Sequence, residues 1–284
     1  MYIKSLDLSN YRNYKNVQVD FDEGVNILYG DNAQGKTNIL EAIYVCGTTK
    51  SHRGSKDKEI INFGENEGHI RCLFEKNDVD YQIDMHLRNE KSKGIAVNGI
   101  KLKKAAELLG IANIILFSPE DLSIIKNGPS DRRRFVDAEL CQLDKVYLYN
   151  LTSYNKIVNQ RNNLLKDIIY HPELKDTLDV WDSQLISLGK KIIDRRSLFV
   201  NQLNEIIYDI HKSLSGDKEN LFIKYDPNIE VDEYESKVLK NRDKDIKLKL
   251  TSVGPHRDDF IFYINDMDSK NMDLRDNKEP QLYR

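Results

Sequence analysis

Cysteine is scarce in this sequence, and its few occurrences lie far apart. The three residues are Cys46, Cys72 and Cys141, and no two of them form a CxxC pair. A zinc site or a framework of disulfides needs thiols at short, regular spacings. The sequence therefore predicts a reduced protein without either kind of cross-link.

Long hydrophobic runs and an excess of charge of one sign are also missing. No apolar run reaches the roughly 20 residues that a membrane-spanning helix needs, and no signal peptide opens the chain. We therefore expect a cytoplasmic protein without a membrane partner. The formal net charge is −3, so any contact with nucleic acid has to come from local basic patches.

Proline and glycine are nearly absent between residues 129 and 214, where only Pro129, Pro172 and Gly189 occur. Apolar residues recur there every three to four positions, which predicts long helices that form an arm. The sequence on either side has strand character instead. The predicted organisation is a head over 1–118, a helical arm over 119–220, a return to the head over 221–268 and a tail over 269–284.

Strand patterns dominate the first third of the chain. Residues 2–8 and 16–22 alternate in polarity, and Asn98-Gly99 predicts a hairpin turn. Two short apolar runs, at 25–29 and 113–117, have the composition of buried strands. The remaining predictions are a helix over 36–46, an antiparallel pair over 69–75 and 79–87, strands over 221–225 and 259–264, and a charged helix over 231–243.

One glycine-rich segment carries a specific chemical pattern. It reads Gly30-Asp31-Asn32-Ala33-Gln34-Gly35-Lys36-Thr37 and matches G-x-x-x-x-G-K-[ST] between an apolar run and a helical pattern. The glycines allow the tight turn that points N–H groups at phosphate oxygens, and the helix adds its positive dipole end. Lys36 can reach the β- and γ-phosphates, and the Thr37 hydroxyl can bind Mg²⁺. We therefore predict a site for ATP and Mg²⁺ at these residues and Asn38.

Three separated stretches resemble the RecF family of ATPases. The first combines Ser9-Asn10-Tyr11-Arg12-Asn13-Tyr14 with the phosphate loop and Leu40-Glu41-Ala42-Ile43-Tyr44. The second has Pro119-Glu120-Asp121-Leu122 and then Gly128-Pro129-Ser130-Asp131-Arg132-Arg133-Arg134-Phe135-Val136-Asp137, with Asn127 where the family usually has glycine. The third is Gly254-Pro255-His256-Arg257-Asp258-Asp259. The resemblance implies an α/β fold, an ABC-type P-loop ATPase head with an inserted helical second lobe.

The resemblance also implies a function. It implies an ATP-dependent DNA-binding protein of recombinational DNA repair and replication, linked to the SOS response, in which ATP binding drives head dimerisation and DNA clamping. The implied partners are DNA, single-stranded or as a gapped duplex, a second copy of the chain and other recombination mediator proteins. The implied cofactors are ATP and Mg²⁺.

The cluster of Arg132, Arg133 and Arg134 at a predicted helix start has two interpretations. The side chains contact DNA phosphates, or they form a solvated face and salt bridges, for example with Asp131.

The Gly254–Asp259 stretch is likewise either a turn pinned by an Arg–Asp pair or a nucleotide contact through His256. Tyr11 and Tyr14, which flank Arg12, either stack on a base or cover the edge of a sheet.

Two other classes of protein share the phosphate loop. An SMC-like or ABC head with a structural role in the chromosome flanks very long coiled coils, whereas the helical insert here is short. A P-loop kinase for small molecules needs an acceptor pocket and a lid, for which the sequence shows no signature.

Two elements that ABC-type heads need for hydrolysis are not recognisable: a signature loop and a strand that ends in an acidic pair. We therefore predict no catalytic residue here, and a chain that binds ATP without hydrolysing it efficiently.

Back-translated and read one base earlier, Asp273–Arg284 gives Gly-Ser-Gln-Gly-Gln-Gln-Arg-Thr-Ala-Ala-Leu-Ser, which resembles the family's signature segment. This favours a shifted reading frame after residue 268, a poorly packed tail from 269 and exposed side chains at Phe260, Phe262 and Ile264.

Overall fold

The computed structural model describes residues 1–118, 121 and 123–269. The chain forms two compact units, Met1–Phe117 and Ser118–Arg284. Residues 119, 120 and 122 of the second family stretch lie outside the described residues, and so does the predicted out-of-frame tail beyond Ser269. None of the helices in the described part combines the length and apolar character that crossing a membrane requires.

The first unit is built on an antiparallel sheet of six strands in the order β2-β1-β3-β4-β5-β6. The strands are β1 (Tyr2–Tyr11), β2 (Tyr14–Asp20), β3 (Glu67–Lys76), β4 (Val79–Arg88), β5 (Gly94–Val97) and β6 (Ile100–Lys101). Asn98 and Gly99 have φ of +50° and +78°, the left-handed backbone that a two-residue hairpin turn requires. The predicted hairpin and the predicted pairing of 69–75 with 79–87 are therefore confirmed.

Side chains along each strand point alternately to the two faces of the sheet, and one of these faces lies in the core. Leu6, Cys72 and Ile83 are neighbours in register on β1, β3 and β4, and all three are buried. Helix α1 (Lys36–Thr48) confirms the helix predicted there, and it joins the same core through Ile39, Ala42, Val45 and Cys46.

Two predictions of buried strands are wrong. Residues 25–29 and 113–117 form no strand in the described part of the chain. Leu28 and Ile114 pack against the core, but the side chains that face the other way are exposed: Val25, Ile27, Tyr29, Ile115 and Phe117. An apolar run forms a buried strand only where neighbouring strands pair with its backbone, and neither run joins the six-stranded sheet.

The second unit is mainly helical. Its helices are α2 (Ser123–Lys126), α3 (Pro129–Leu143), α4 (Lys145–Asp167), α5 (Leu178–Leu214), α6 (Val231–Lys240) and α7 (Arg242–Leu248). The start of α4 is fixed by Asp144, whose side chain accepts hydrogen bonds from the N–H groups of Val146 and Tyr147. The long helices predicted over 129–214 are confirmed, and α4 packs along α5.

A three-stranded antiparallel sheet completes the second unit, in the order β7 (Leu221–Asp226), β8 (Asp259–Ile264) and β9 (Met267–Asp268). Phe260 on the central strand is buried and stacks on Tyr225, with ring centroids 5.2 Å apart. The prediction that Phe260 would be exposed is wrong, because its ring packs between Tyr225 and the guanidinium of Arg196, which lies 5.8 Å from the ring centroid. Phe262 and Ile264 are half-buried.

A fully buried guanidinium joins three helices of the second unit. Arg161 on α4 lies 2.7 Å from Asp182 on α5 and 2.8 Å from Asp245 on α7. It also donates to the Thr251 hydroxyl at 3.0 Å. A charge taken out of water is tolerated only where it is paired and hydrogen-bonded, so these contacts fix how the three helices pack.

We expect Arg161→Ala to lower the free energy of unfolding by about 3–5 kcal/mol, because the buried Asp245 loses its ion-pair partner and the buried Asp182 keeps only Arg242. The matched control is Arg134→Ala: this side chain is 79% exposed, and its loss should change stability by no more than about 0.5 kcal/mol. Urea denaturation followed by circular dichroism measures both variants. Equal stability of the two would contradict the role of the buried pairs.

Candidate functional site

The predicted phosphate loop is a tight turn that runs into α1. Its backbone takes positive φ at Gly30 (+140°), Ala33 (+64°) and Gly35 (+102°). Glycine adopts such angles without steric cost, which is why the chain can reverse here and start α1 directly at Lys36.

The predicted site residues lie mostly at the surface of this loop. The stretch 30–34 and Thr37 are exposed, Lys36 and Asn38 are half-buried, and Gly35 is buried. The Lys36 ammonium donates to the carbonyl of Gly30 at 2.7 Å and to that of Asp31 at 2.6 Å. The positive charge of Lys36 is thus bonded to two neutral carbonyl groups. A negatively charged phosphate at the loop would be a stronger partner for the ammonium group.

The start of α1 adds to the attraction for an anion. Its first turn holds no acidic residue, and no side chain caps it, so the positive end of the helix dipole faces the loop without compensation. The exposed Thr37 hydroxyl can serve as one metal ligand. Among the described residues no group of three or more His, Cys, Asp or Glu could hold a metal, so Mg²⁺ at Thr37 would need oxygen ligands from a bound nucleotide.

A buried carboxylate behind the loop escaped the sequence analysis. Glu41 on α1 accepts hydrogen bonds from Arg12 at 2.8 and 2.6 Å and from Ser51 at 2.5 Å. Burial alone would raise the pKa of the Glu41 carboxyl, but the bonds from Arg12 and Ser51 lower the pKa below its ordinary value. The sequence signal for this residue is an ionisable side chain set among the apolar positions of an amphipathic helix.

The turn between β1 and β2 reaches the loop itself. The side chains of Asn13 and Tyr14 each donate a hydrogen bond to the carbonyl of Gln34, both at 3.2 Å. Tyr14 is half-buried, whereas Tyr11 lies in the core. Base stacking and cover of a sheet edge were the two sequence-based interpretations of these tyrosines, and neither anticipates a contact with the loop backbone.

In the second unit the three neighbouring arginines have three different environments. Arg132 is buried, pairs with both carboxylate oxygens of Asp259 at 2.7 and 2.9 Å and donates to two main-chain carbonyls. Arg133 is half-buried and donates to the Asp258 carbonyl at 2.6 Å. Arg134 is exposed and lies 3.0 Å from Asp131, the salt bridge that the second interpretation names. The predicted DNA contact of Arg132 is therefore corrected: this side chain holds the fold together, and only Arg133 and Arg134 reach the surface.

The Gly254–Asp259 stretch is a turn held by a buried ion pair. Arg196 on α5 is fully buried and lies 2.8 Å from Asp258 and 2.8 Å from Asp137 on α3. Gly254 has φ +133°, and a Cβ there would lie 2.3 Å from the Tyr154 hydroxyl. The structure thus favours the pinned turn over the nucleotide contact.

The His256 side chain is bonded at both ring nitrogens. Nε2 lies 3.1 Å from the Thr251 carbonyl and Nδ1 lies 2.7 Å from the Tyr154 hydroxyl. A carbonyl only accepts, so Nε2 carries the proton of a neutral ring and Nδ1 accepts from Tyr154. Burial lowers the pKa of His256 to about 4, and the nearby charges of Arg257 and Arg133 act in the same direction.

The fold and the loop together define a class: this is a P-loop ATPase domain, and the family model of the AAA domain matches residues 5–279. The chain belongs to the RecF family. It is 60% identical over 268 residues to the DNA replication and repair protein RecF of Agathobacter rectalis, which covers 94% of this chain and 74% of that relative. RecF of Clostridium perfringens SM101 is 45% identical over 275 residues, or 95% of this chain and 75% of the relative.

Two solved structures are similar over nearly the whole chain. The recombination mediator protein RecF of the RecFOR pathway with ATPrS has a TM-score of 0.89 at 36% identity, covering 98% of this chain and 77% of that one. The same protein with ATP has a TM-score of 0.88 at 36% identity, covering 95% and 76%. These findings confirm the ABC-type ATPase head fold and the assignment to DNA replication and repair. They decide against the kinase and SMC-like alternatives.

We expect the neutral His256 ring to make stability depend on pH. Its folded-state pKa of about 4 lies below the ordinary value of about 6.5, so the unfolded chain binds the proton first. This contribution to stability is complete above about pH 6.5 and declines as the pH falls towards 4, by up to about 3 kcal/mol. Urea unfolding between pH 7 and 4 should give a flatter profile for His256→Gln than for the parent chain. Parallel profiles would contradict the assignment.

Proposed function

We propose that this chain binds ATP with Mg²⁺ through the stretch 30–38 and acts as a cytoplasmic, ATP-dependent DNA-binding protein of recombinational repair. One observation carries the proposal: Lys36 reaches back across the loop to the carbonyls of Gly30 and Asp31. A triphosphate at this loop would contact the charged Lys36 side chain and the N-terminus of α1. It would also contact the loop backbone, which the positive φ angles of its glycines allow to turn tightly.

Each element of the loop has a separate task in this proposal. Lys36 exchanges its two carbonyl partners for phosphate oxygens and neutralises their charge. Backbone N–H groups at the start of α1 bind further oxygens. The Thr37 hydroxyl is a ligand of Mg²⁺, and the metal, when bound, neutralises charge between the phosphates.

DNA binding and association of two copies complete the proposed function. The similar solved structures are of RecF with ATP and ATPrS in the RecFOR pathway, which supports nucleotide binding and a role beside other recombination mediators. We further propose that ATP binding drives two copies of this chain to associate. Among the predicted basic residues, Arg134 is exposed and Arg133 is half-buried. We propose that these two meet the phosphates of single-stranded or gapped DNA, a contact that does not depend on sequence.

The nucleotide site is tested by Lys36→Ala. Loss of a charged donor to phosphate should weaken ATP binding by about 10- to 100-fold, since such a bond is worth about 1.5–3 kcal/mol. Isothermal titration calorimetry with Mg²⁺ present measures the dissociation constant. Lys101→Ala is the control, because Lys101 is an exposed lysine on the edge strand β6. If both variants bind ATP as tightly as the parent chain, the proposed site is wrong.

The DNA contact is tested by the double variant Arg133→Ala/Arg134→Ala. It should weaken binding to DNA of any sequence and reduce the slope of log affinity against log salt by about 1 for each phosphate that is no longer neutralised. Fluorescence anisotropy with a gapped duplex over a series of salt concentrations measures both quantities. Lys156→Ala, an exposed lysine on α4, is the control, and a salt slope unchanged from the parent chain counts against these two arginines.

A further inference from the structure

The carbonyl of Gln34 accepts two side-chain hydrogen bonds from the same turn. Asn13 Nδ2 and the Tyr14 hydroxyl both lie 3.2 Å from this oxygen. Asn13 lies in the short turn between β1 and β2, and Tyr14 is the first residue of β2. The acceptor belongs to the phosphate loop, 21 and 20 residues further along the chain. Two donors on one carbonyl oxygen restrict the rotation of the peptide group to which it belongs.

The consequence concerns the opposite side of that peptide. A peptide unit is planar and trans, so the N–H of Gly35 points away from the Gln34 carbonyl. Because the carbonyl is held towards the turn, the N–H is held towards the other side of the loop. The side chains thus set the direction of a backbone donor that they do not touch.

The turn is seated directly against Gly35. A Cβ built on this glycine would lie 2.4 Å from the Tyr14 hydroxyl and 2.8 Å from Asn13 Nδ2. The absence of a side chain at Gly35 therefore lets the turn approach the loop backbone. Positive φ at Gly35 alone would not require this proximity.

The turn is itself fixed to helix α1 at two points. Arg12 makes its paired bonds to the buried Glu41, and Asn13 Oδ1 accepts a bond from Asn38 Nδ2 at 2.8 Å. Arg53 then donates to Asn38 Oδ1 at 3.1 Å. The donors to Gln34 are thus part of a connected polar network and are ordered before any ligand binds.

We propose that Asn13 and Tyr14 are positioning residues of the phosphate loop, which orient the Gln34–Gly35 peptide so that its N–H faces the triphosphate. This inference rests on the proposed function, because it assigns their role to the same nucleotide site. Neither side chain needs to touch the nucleotide. Their contribution is to remove the free-energy cost of ordering the loop when the triphosphate binds.

The test uses the full chain with Tyr14→Phe, Asn13→Ala and the double variant. Each single change leaves one donor on the Gln34 carbonyl, so we expect affinity for ATP to fall by about two- to threefold, the lower end of what one neutral hydrogen bond contributes. The double variant should lose about tenfold or more, which exceeds the product of the single effects, because the two donors share one acceptor. Inorganic triphosphate, measured by competition with ATP, should lose affinity by the same factor.

Tyr2→Phe is the matched control, since the Tyr2 hydroxyl donates to Glu75 at 3.4 Å near the start of β1. It should leave the affinity for ATP unchanged. Without nucleotide, the unfolding midpoint of Tyr14→Phe should lie close to that of this control, which separates positioning of the loop from a general loss of stability.

The remaining outcomes each decide the question. A double variant that binds ATP as the parent chain does overturns the inference and leaves the proposed function standing. A loss of ATP affinity without loss of triphosphate affinity also overturns it, because that result assigns Tyr14 to the base. If the double variant does not fold, Tyr14→Phe alone decides, and a parent-like affinity for triphosphate refutes the role of Tyr14. A parent chain that fails to bind ATP refutes the proposed function itself.

Discussion

The first unit depends on one buried ion pair, between Glu41 on helix α1 and Arg12 in the turn between β1 and β2. A carboxylate without water around it must find a partner in the protein, and here the partner comes from a different element. The pair holds the turn against the helix, and the phosphate loop, which leads into that helix, meets the same turn. The Arg12–Glu41 ion pair therefore fixes the positions of the sheet, the helix and the loop relative to one another.

The second unit also depends on buried ion pairs, but there the central charge of each group is positive. Arg161 and Arg196 are buried cations, and each is placed between two carboxylates on separate elements. Long helices present repetitive surfaces, so apolar contacts alone allow more than one alignment of neighbouring helices. A buried guanidinium has fixed donor directions, so it specifies one alignment. The Gly254–Asp259 turn is held by the second of these buried cations, because the Asp258 carboxylate accepts a hydrogen bond from Arg196.

Features that depend on neighbours in the chain could be predicted from the sequence. The Asn98-Gly99 hairpin and the glycine-rich loop before α1 are examples, because the turn residues and the strands or helix they join are contiguous. The stretch 25–29 shows the limit of such predictions. It is an apolar run, and Leu28 packs against the core, but whether a run forms a strand depends on pairing with strands elsewhere in the chain. The contact of Tyr14 with Gln34 is also non-local, and no periodicity encodes it.

The arginine cluster shows why a motif can be recognised correctly while the role of one of its residues is misjudged. Successive residues on an α-helix point about 100° apart, so three adjacent arginines on α3 cannot share one surface. Arg132 faces the interior and Arg134 faces solvent. A count of positive charges treats these residues as equivalent, whereas the helical rotation separates them. The buried position needs a guanidinium because Asp259 accepts two parallel bonds, a geometry that lysine cannot provide. At Arg132 this stretch thus meets a requirement of folding, whereas Arg134 faces solvent on another side of the same helix turn.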